Sequence, residues 1–416
     1  MTAHEAFVAL AAVGGLLLLL GMFAGLIHEK GILSEPLFAL LAGALIGPAA
    51  LDLVDLAHFG DPQTILEYAA LATLAVALMG VALRLPERYS LRNGGLLLVL
   101  LGLLMPLMWA ACSLLAYFIL GLPFWVSVLL GAVVTPTDPV VASTIVTGGV
   151  AERNLPARLR HAISAESGWN DGLALPFVFL PILVLTPPQE YVLGHWLTRT
   201  VLWEVVGGAV VAALIGYLAG KGLAWAEARE TLEKTSLLTV SLALTLTVLG
   251  VSELLGTNAV LAAFVAGMAF NATGASDAKE RQEDVQEAIT RFFDLPVFVL
   301  LGMALPWQGW LDLGWGGLLF AAAVLLFRRM PAAFLLRSLL GPLGTTKDIL
   351  FLGWFGPVGA AALYYAAHAL RETGVQEVWT AASLVIVASV VAHGATDTPL
   401  TKLYGKRAAD ATEEKG

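Results

Sequence analysis

Cysteine is nearly absent. Cys112 stands alone in 416 residues, so the chain has no intrachain disulfide framework. Charge is scarce too: 13% of residues are Asp, Glu, Lys or Arg against 58% hydrophobic, and the mean hydropathy is +0.81. That balance excludes an ordinary soluble core and predicts a polytopic membrane protein. Basic blocks are missing. The net charge is −9 and the cations are scattered, so no nucleic-acid partner is expected. The start, Met1-Thr2-Ala3-His4-Glu5, lacks the basic stretch that opens a secretory signal, and the first apolar run reads as a membrane helix. No soluble domain is visible; the polar stretch 403–416 reads as a short cytoplasmic tail. There is no His-Glu-x-x-His zinc motif and no Gly-x-Gly-Asp run, which removes the usual signatures of an intramembrane enzyme, and no cofactor is expected.

What is present is apolar sequence in lengths of roughly 20 residues, enough for about thirteen membrane spans. They fall near 6–27, 32–50, 64–83, 94–120, 124–147, 161–185, 201–222, 235–252, 257–272, 289–305, 315–340, 347–369 and 378–399. The region 235–272 fits one long helix or two short ones, and the choice changes the parity. One set of loops carries Lys30; Arg84, Arg88 and Arg92; Arg153, Arg158 and Arg160; Lys221, Arg229 and Lys234; Lys279, Arg281 and Arg291; Arg337 and Lys347; and Lys402, Lys406, Arg407 and Lys415. The opposite set carries Arg199 and Arg371. The rich side is then cytoplasmic, the N-terminus outside and the C-terminus inside, and the alternation favours two helices in 235–272.

Two spans are interrupted. Span 5 meets Thr135-Pro136-Thr137-Asp138-Pro139, and span 12 meets Gly353-Trp354-Phe355-Gly356-Pro357-Val358-Gly359. Proline removes a backbone donor and opposes helix at its neighbours, so Pro136, Pro139 and Pro357, with Gly356, predict unwinding at mid-membrane depth. Six spans lie between them, so the two run in opposite directions. Matched interruptions in two halves point to inverted repeats around a transport site.

Charged residues gather at that depth. Asp171 lies about ten residues inside span 6, in Ala165-Glu166-Ser167-Gly168-Trp169-Asn170-Asp171-Gly172. Asp138 lies in the break of span 5, and Arg328 and Arg329 in span 11. An ionisable side chain there costs a few kcal/mol to insert and marks a functional site by default. Ser167 and Asp171 share a helix face that Asn170 borders. Hydroxyl, amide and carboxylate oxygens suit Na⁺, K⁺ or H⁺ rather than zinc or copper. For Asp138, ion ligation and capping of the half-helix after the break both remain open. Glu166 is expected to pair with Arg329, with Arg328 as the alternative, because a guanidinium fork suits a buried carboxylate. A clamped Glu166 leaves Asp171 as the exchanging group.

The runs Thr137-Asp138-Pro139-Val140 and Glu166-Ser167-x-x-Asn170-Asp171-Gly172 resemble the cation–proton antiporters of the first subfamily, the sodium–proton exchanger type, in its prokaryotic branch. Ala262-Ala263-Phe264-Val265-Ala266-Gly267, Pro296-Val297-Phe298, Leu301-Gly302-Met303 and Gly353-Trp354-x-Gly356-Pro357 extend the likeness over nearly the whole chain. The resemblance implies a single antiporter domain over 1–416 and a homodimer. It implies a core of 94–185 plus 315–399 that moves against a dimerisation domain of 6–83 plus 201–305. It also implies a monovalent cation held by Asp171, Ser167, Asp138 and the Thr137 carbonyl. Asn170 matches the electroneutral branch. Two departures stand out. Many members carry Arg-Gly after the span-12 break where this chain has Val358-Gly359, so another group must neutralise the half-helix ends; and Leu78-Met79-Gly80-Val81 lacks the span-3 glutamate of some prokaryotic members.

The expected fold is therefore an all-α membrane protein with about 13 transmembrane helices, inverted repeats and two discontinuous crossing helices. The expected activity is electroneutral 1:1 exchange of H⁺ for a monovalent cation, Na⁺ first and K⁺ or Li⁺ as alternatives, across the cell's inner (plasma) membrane. A passive cation channel on the same scaffold is the rival; no run of carbonyls resembling a selectivity filter supports it.

Overall fold

The structure is a computed structural model that describes residues 34–188, 191–229, 236–273 and 292–413, with seven scattered positions between 7 and 22. Most of the expected first span, 6–27, and the loop cations Lys30, Lys234, Lys279, Arg281, Arg291 and Lys415 lie outside the described residues.

The described residues form helices. Those of six residues or more are α1 Glu35–Ile46, α2 Pro62–Arg84, α3 Gly94–Leu120, α4 Phe124–Val133, α5 Gly148–Asn154, α6 Ala157–Leu185, α7 Val192–Glu227, α8 Ser236–Leu255, α9 Ala259–Asn271, α10 Phe292–Met303, α11 Trp307–Phe327, α12 Met330–Leu335, α13 Thr346–Trp354, α14 Ala360–Thr373 and α15 Gln376–Glu413. Six of the helical stretches are long and apolar enough to cross a membrane, and α1, α4, α8, α9 and α10 are shorter apolar helices.

Region 235–272 is two helices. Leu255 O accepts from Trp203 Nε1 at 3.1 Å and Gly256 O from Arg199 Nη2 at 3.2 Å, both near the start of α7. Asn258 N–H donates to Glu204 O at 3.0 Å, and a Cβ on Gly216 would strike the backbone of Ala266. So α9 runs alongside α7 in the same direction and α8 runs against both. Gly256, at φ 58°, makes the turn, and Asn258 caps α9 by accepting from Leu261 N–H at 3.0 Å.

Helices approach closely where a side chain is missing. Gly172 of α6 faces the Leu261 backbone of α9, and Gly302 of α10 faces Leu40 of α1. Small residues allow this in membranes, where contact and hydrogen bonds replace the hydrophobic drive. One group of packed helices joins α2, α7, α8 and α9; another joins α3, α4, α6, α11, α14 and α15. The two meet where α2 packs on α14 and α6 packs on α9.

Span 5 stops at Val133 and span 12 at Trp354, and both stay irregular through Pro136–Pro139 and Gly356–Pro357. The breaks touch directly, Asp138 N–H donating to Pro357 O at 2.8 Å. One expectation is corrected. The span drawn at 315–340, which opens after a kink at Gly314 (φ 54°), is not continuous: it is interrupted at Arg328–Arg329, because Pro331 has no N–H to continue the ladder. Beyond Leu403, α15 continues as helix to Glu413, with Pro399 inside it.

Candidate ion-binding site

Thr137, in the first break, faces α6. Its amide donates to Asn170 Oδ1 at 3.1 Å, Asn170 Nδ2 donates to Thr137 Oγ1 at 2.6 Å, and Thr137 Oγ1 lies 3.0 Å from Ser167 Oγ. Unwinding is what makes this possible, since a helical Thr137 amide would be committed to its own ladder. Thr137, Ser167 and Asn170 are all buried.

Asp171 follows on the same helix and is 0% exposed. Among the described residues, neither carboxylate oxygen has a hydrogen-bond partner. Its backbone is tied down instead: Tyr365 Oη donates to Asp171 O at 2.7 Å, and Asn258 Nδ2 donates to Gly172 O at 2.7 Å. An acceptor-only group with two empty oxygens, fixed in place at depth, is suited to take a cation or a proton.

Asp138 differs. Its Oδ1 accepts from Val140 N–H at 2.7 Å and its Oδ2 from Ala360 N–H at 2.5 Å, so it binds amides on both sides of the crossing. Ala360 opens α14, whose amide end carries partial positive charge. A Cβ on Gly359 would collide with the Asp138 carboxylate, so glycine is what lets the acid approach.

The two arginines separate. Arg329 Nη2 donates to Glu166 Oε2, both side chains being buried. Arg328 Nη1 donates to the carbonyls of Val134 (2.6 Å), Thr135 (3.3 Å) and Pro136 (3.2 Å), and its Nη2 donates to Gly356 O. The Thr137 carbonyl is not among them. After the second break, Val358 is fully buried and its amide donates to Ser389 Oγ at 2.7 Å.

The structure therefore brings Thr137, Asp138, Glu166, Ser167, Asn170, Asp171, Arg329 and the breaks at Pro136, Pro139, Gly356 and Pro357 into one region. Sequence reading missed Tyr365 and Asn258, neutral polar groups whose partners lie 194 and 86 residues away. It noticed Arg328 but not its carbonyl partners. A cavity of about 330 Å³, lined by Leu85, Tyr89, Ser90, Met268 and Asn271 among others, reaches Trp169, whose Nε1 donates to Ser90 Oγ at 3.1 Å.

A family model described as "Sodium/hydrogen exchanger, transmembrane" matches residues 15–403. The Na(+)/H(+) antiporter 2 of Zygosaccharomyces rouxii is 32% identical over 372 residues, 88% of this chain and 46% of that protein. A Na(+)/H(+) antiporter of Schizosaccharomyces pombe is 29% identical over 412 residues, 93% of this chain and 88% of its own. The sodium proton antiporter MjNhaP1 of Methanocaldococcus jannaschii shares the fold with a TM-score of 0.76 and 20% identity, covering 96% of this chain and 100% of that one. This chain spans about half the length of the Zygosaccharomyces relative. Both curated relatives are fungal, so they do not carry the prokaryotic branch expected from the motifs.

Proposed function

We infer the activity from one premise: this chain belongs to the sodium/hydrogen exchanger family. It exchanges one H⁺ for one monovalent cation, Na⁺ first, by alternating access at Asp171. The observation that carries this is the buried Asp171 carboxylate with two unpartnered oxygens beside Thr137 and Ser167. A proton or a cation neutralises that carboxylate, and the two compete. A bare carboxylate is the costly form to carry across the bilayer, so the site moves when loaded. Ser167 and Thr137 supply oxygens to the cation. Asn170 holds Thr137 in place and has no charge to titrate. Asp138 and Glu166 are committed to amides and to Arg329, so one charge exchanges per cycle. A channel is disfavoured, since the site residues pack closely and line no continuous run of carbonyls.

The group containing α3, α4, α6, α11, α14 and α15 moves as a core against α2, α7, α8 and α9, which form the dimerisation domain of a homodimer. The cavity beside Trp169 opens on the side of Arg88, the cytoplasmic side by loop charge, and is the path by which the cation reaches the site. The protein lies in the plasma membrane with its N-terminus outside and its C-terminus in the cytoplasm.

The test is stoichiometry. In proteoliposomes with opposed Na⁺ and H⁺ gradients, net flux vanishes where the two gradients are equal, at every membrane potential. A balance point that moves with potential refutes electroneutral 1:1 exchange, and flux without any coupling to protons restores the channel.

A further inference from the structure

Breaking two helices inside a membrane leaves carbonyl ends without partners. α4 has ten residues and α13 has nine, and each ends at the crossing with its carbonyls directed to one place. A helix end carries roughly half an elementary charge, so two carbonyl ends together present roughly one negative charge. One guanidinium answers it. Arg328 is 3% exposed and donates to Val134 O, Thr135 O and Pro136 O at the end of α4 and to Gly356 O at the end of α13. Its neighbour Arg329 already takes Glu166, so Arg328 has these carbonyls in place of an acidic partner. On the opposite side Asp138 answers the amide end of α14 and the Val140 amide. The residue after Pro357 is the apolar Val358, which brings no charge to the crossing. The compensating charge thus reaches the crossing from another helix, at an interruption that Pro331 creates.

We propose that Arg328 is the positioning residue that makes the helix crossing electrically neutral, so that Asp171 is the only charge the moving site must have cancelled by its ion. This rests on the exchange reading above. Arg328 fixes the coil that presents Thr137, and it removes the negative potential of two helix ends from the vicinity of the cation. Without it, a site loaded with Na⁺ or H⁺ still carries roughly one negative charge as it moves. The stoichiometry stays at one to one, but the rate of each crossing then depends on membrane potential.

The experiment compares the full chain with Arg328→Met and Arg328→Lys in proteoliposomes, with Na⁺ as the probe and a thiocyanate gradient setting the potential. The unsubstituted protein exchanges at a rate independent of potential. Arg328→Met is slower, and its rate changes about five-fold or more over 100 mV, against a ceiling of roughly fifty-fold for a full charge crossing the whole field. Arg328→Lys keeps the charge but cannot reach four carbonyls; it is slower and independent of potential. If Arg328→Met does not fold, Arg328→Gln, which retains amide donors without charge, supplies the same reading. A folded neutral variant whose rate ignores potential overturns the inference, as does a lysine variant as sensitive as the methionine one. A protein whose unsubstituted form moves no protons on a Na⁺ gradient loses the exchange reading, and this inference with it; exchange with potential-independent neutral variants removes the inference alone.

Discussion

Thr137 and Asn170 hold each other twice: the Thr137 amide donates to Asn170 Oδ1 at 3.1 Å, and Asn170 Nδ2 donates to Thr137 Oγ1 at 2.6 Å. One residue lies in an unwound strand and the other on an intact helix, 33 positions later. This reciprocal contact registers the break of span 5 against α6 and so sets where Asp171 lies relative to Thr137 and Ser167.

Asn170→Ala leaves the buried Thr137 amide and hydroxyl short of partners. Such losses cost about 1–3 kcal/mol. Because they fall on a coil that positions ion oxygens, the KM for Na⁺ rises about ten-fold or more while the protein remains folded. Flux against Na⁺ concentration measures it; an unchanged KM places Asn170 outside the site's frame.

Glu166→Ala strands Arg329 in a buried setting. Removing one partner of a buried ion pair costs about 3–5 kcal/mol, whereas replacing both is much milder. Thermal unfolding in detergent therefore drops sharply for Glu166→Ala and recovers partly in Glu166→Leu/Arg329→Met. Equal losses in the single and double variants contradict the pair's assignment.

Gly172 faces the Leu261 backbone, with Leu261 Cα 2.6 Å from where a Cβ would sit. Gly172→Val forces α6 away from α9. Overpacking of this kind costs about 1–3 kcal/mol, and the lowered melting temperature comes with lost exchange because the displaced helix carries Asp171. Wild-type activity in that variant rejects the tight α6–α9 contact.

Asp61 caps α2 outside the membrane spans, accepting from Thr64 N–H at 2.9 Å and Thr64 Oγ1 at 2.7 Å. The Thr64 hydroxyl and then its amide hold the Asp61 carboxyl below its ordinary value. A lowered folded-state pKa means the cap's contribution is complete above the unfolded value and is lost as pH falls through the folded one. Asp61→Ala costs about 1 kcal/mol near neutral pH. The gap in melting temperature from the unsubstituted protein closes below about pH 4, near the ordinary aspartate value. A gap that persists in strong acid contradicts a charge-dependent cap.

Much of this architecture was legible from residue types. Pro136 and Pro139 lack donors and Gly356–Pro357 lacks both donor and stiffness, so both breaks announce themselves. Asp171, Glu166 and the adjacent arginines stand out because charge is rare at that depth. The partner of Arg328 did not stand out, since its acceptors are backbone carbonyls, invisible in a sequence, on two helices joined only by the crossing. The interruption at Arg328–Arg329 had its signal in Pro331, masked by an apolar run that reads as continuous. Asn258 and Tyr365 carry no local sign of their role, because each meets α6 only through tertiary packing.

The most direct measurement is Na⁺-driven proton movement by Asp171→Asn in proteoliposomes, beside the unsubstituted chain. The amide keeps the shape and removes the ionisable oxygen pair. The account predicts a folded protein with no exchange above empty liposomes at any pH. Sustained coupled exchange by that variant contradicts it.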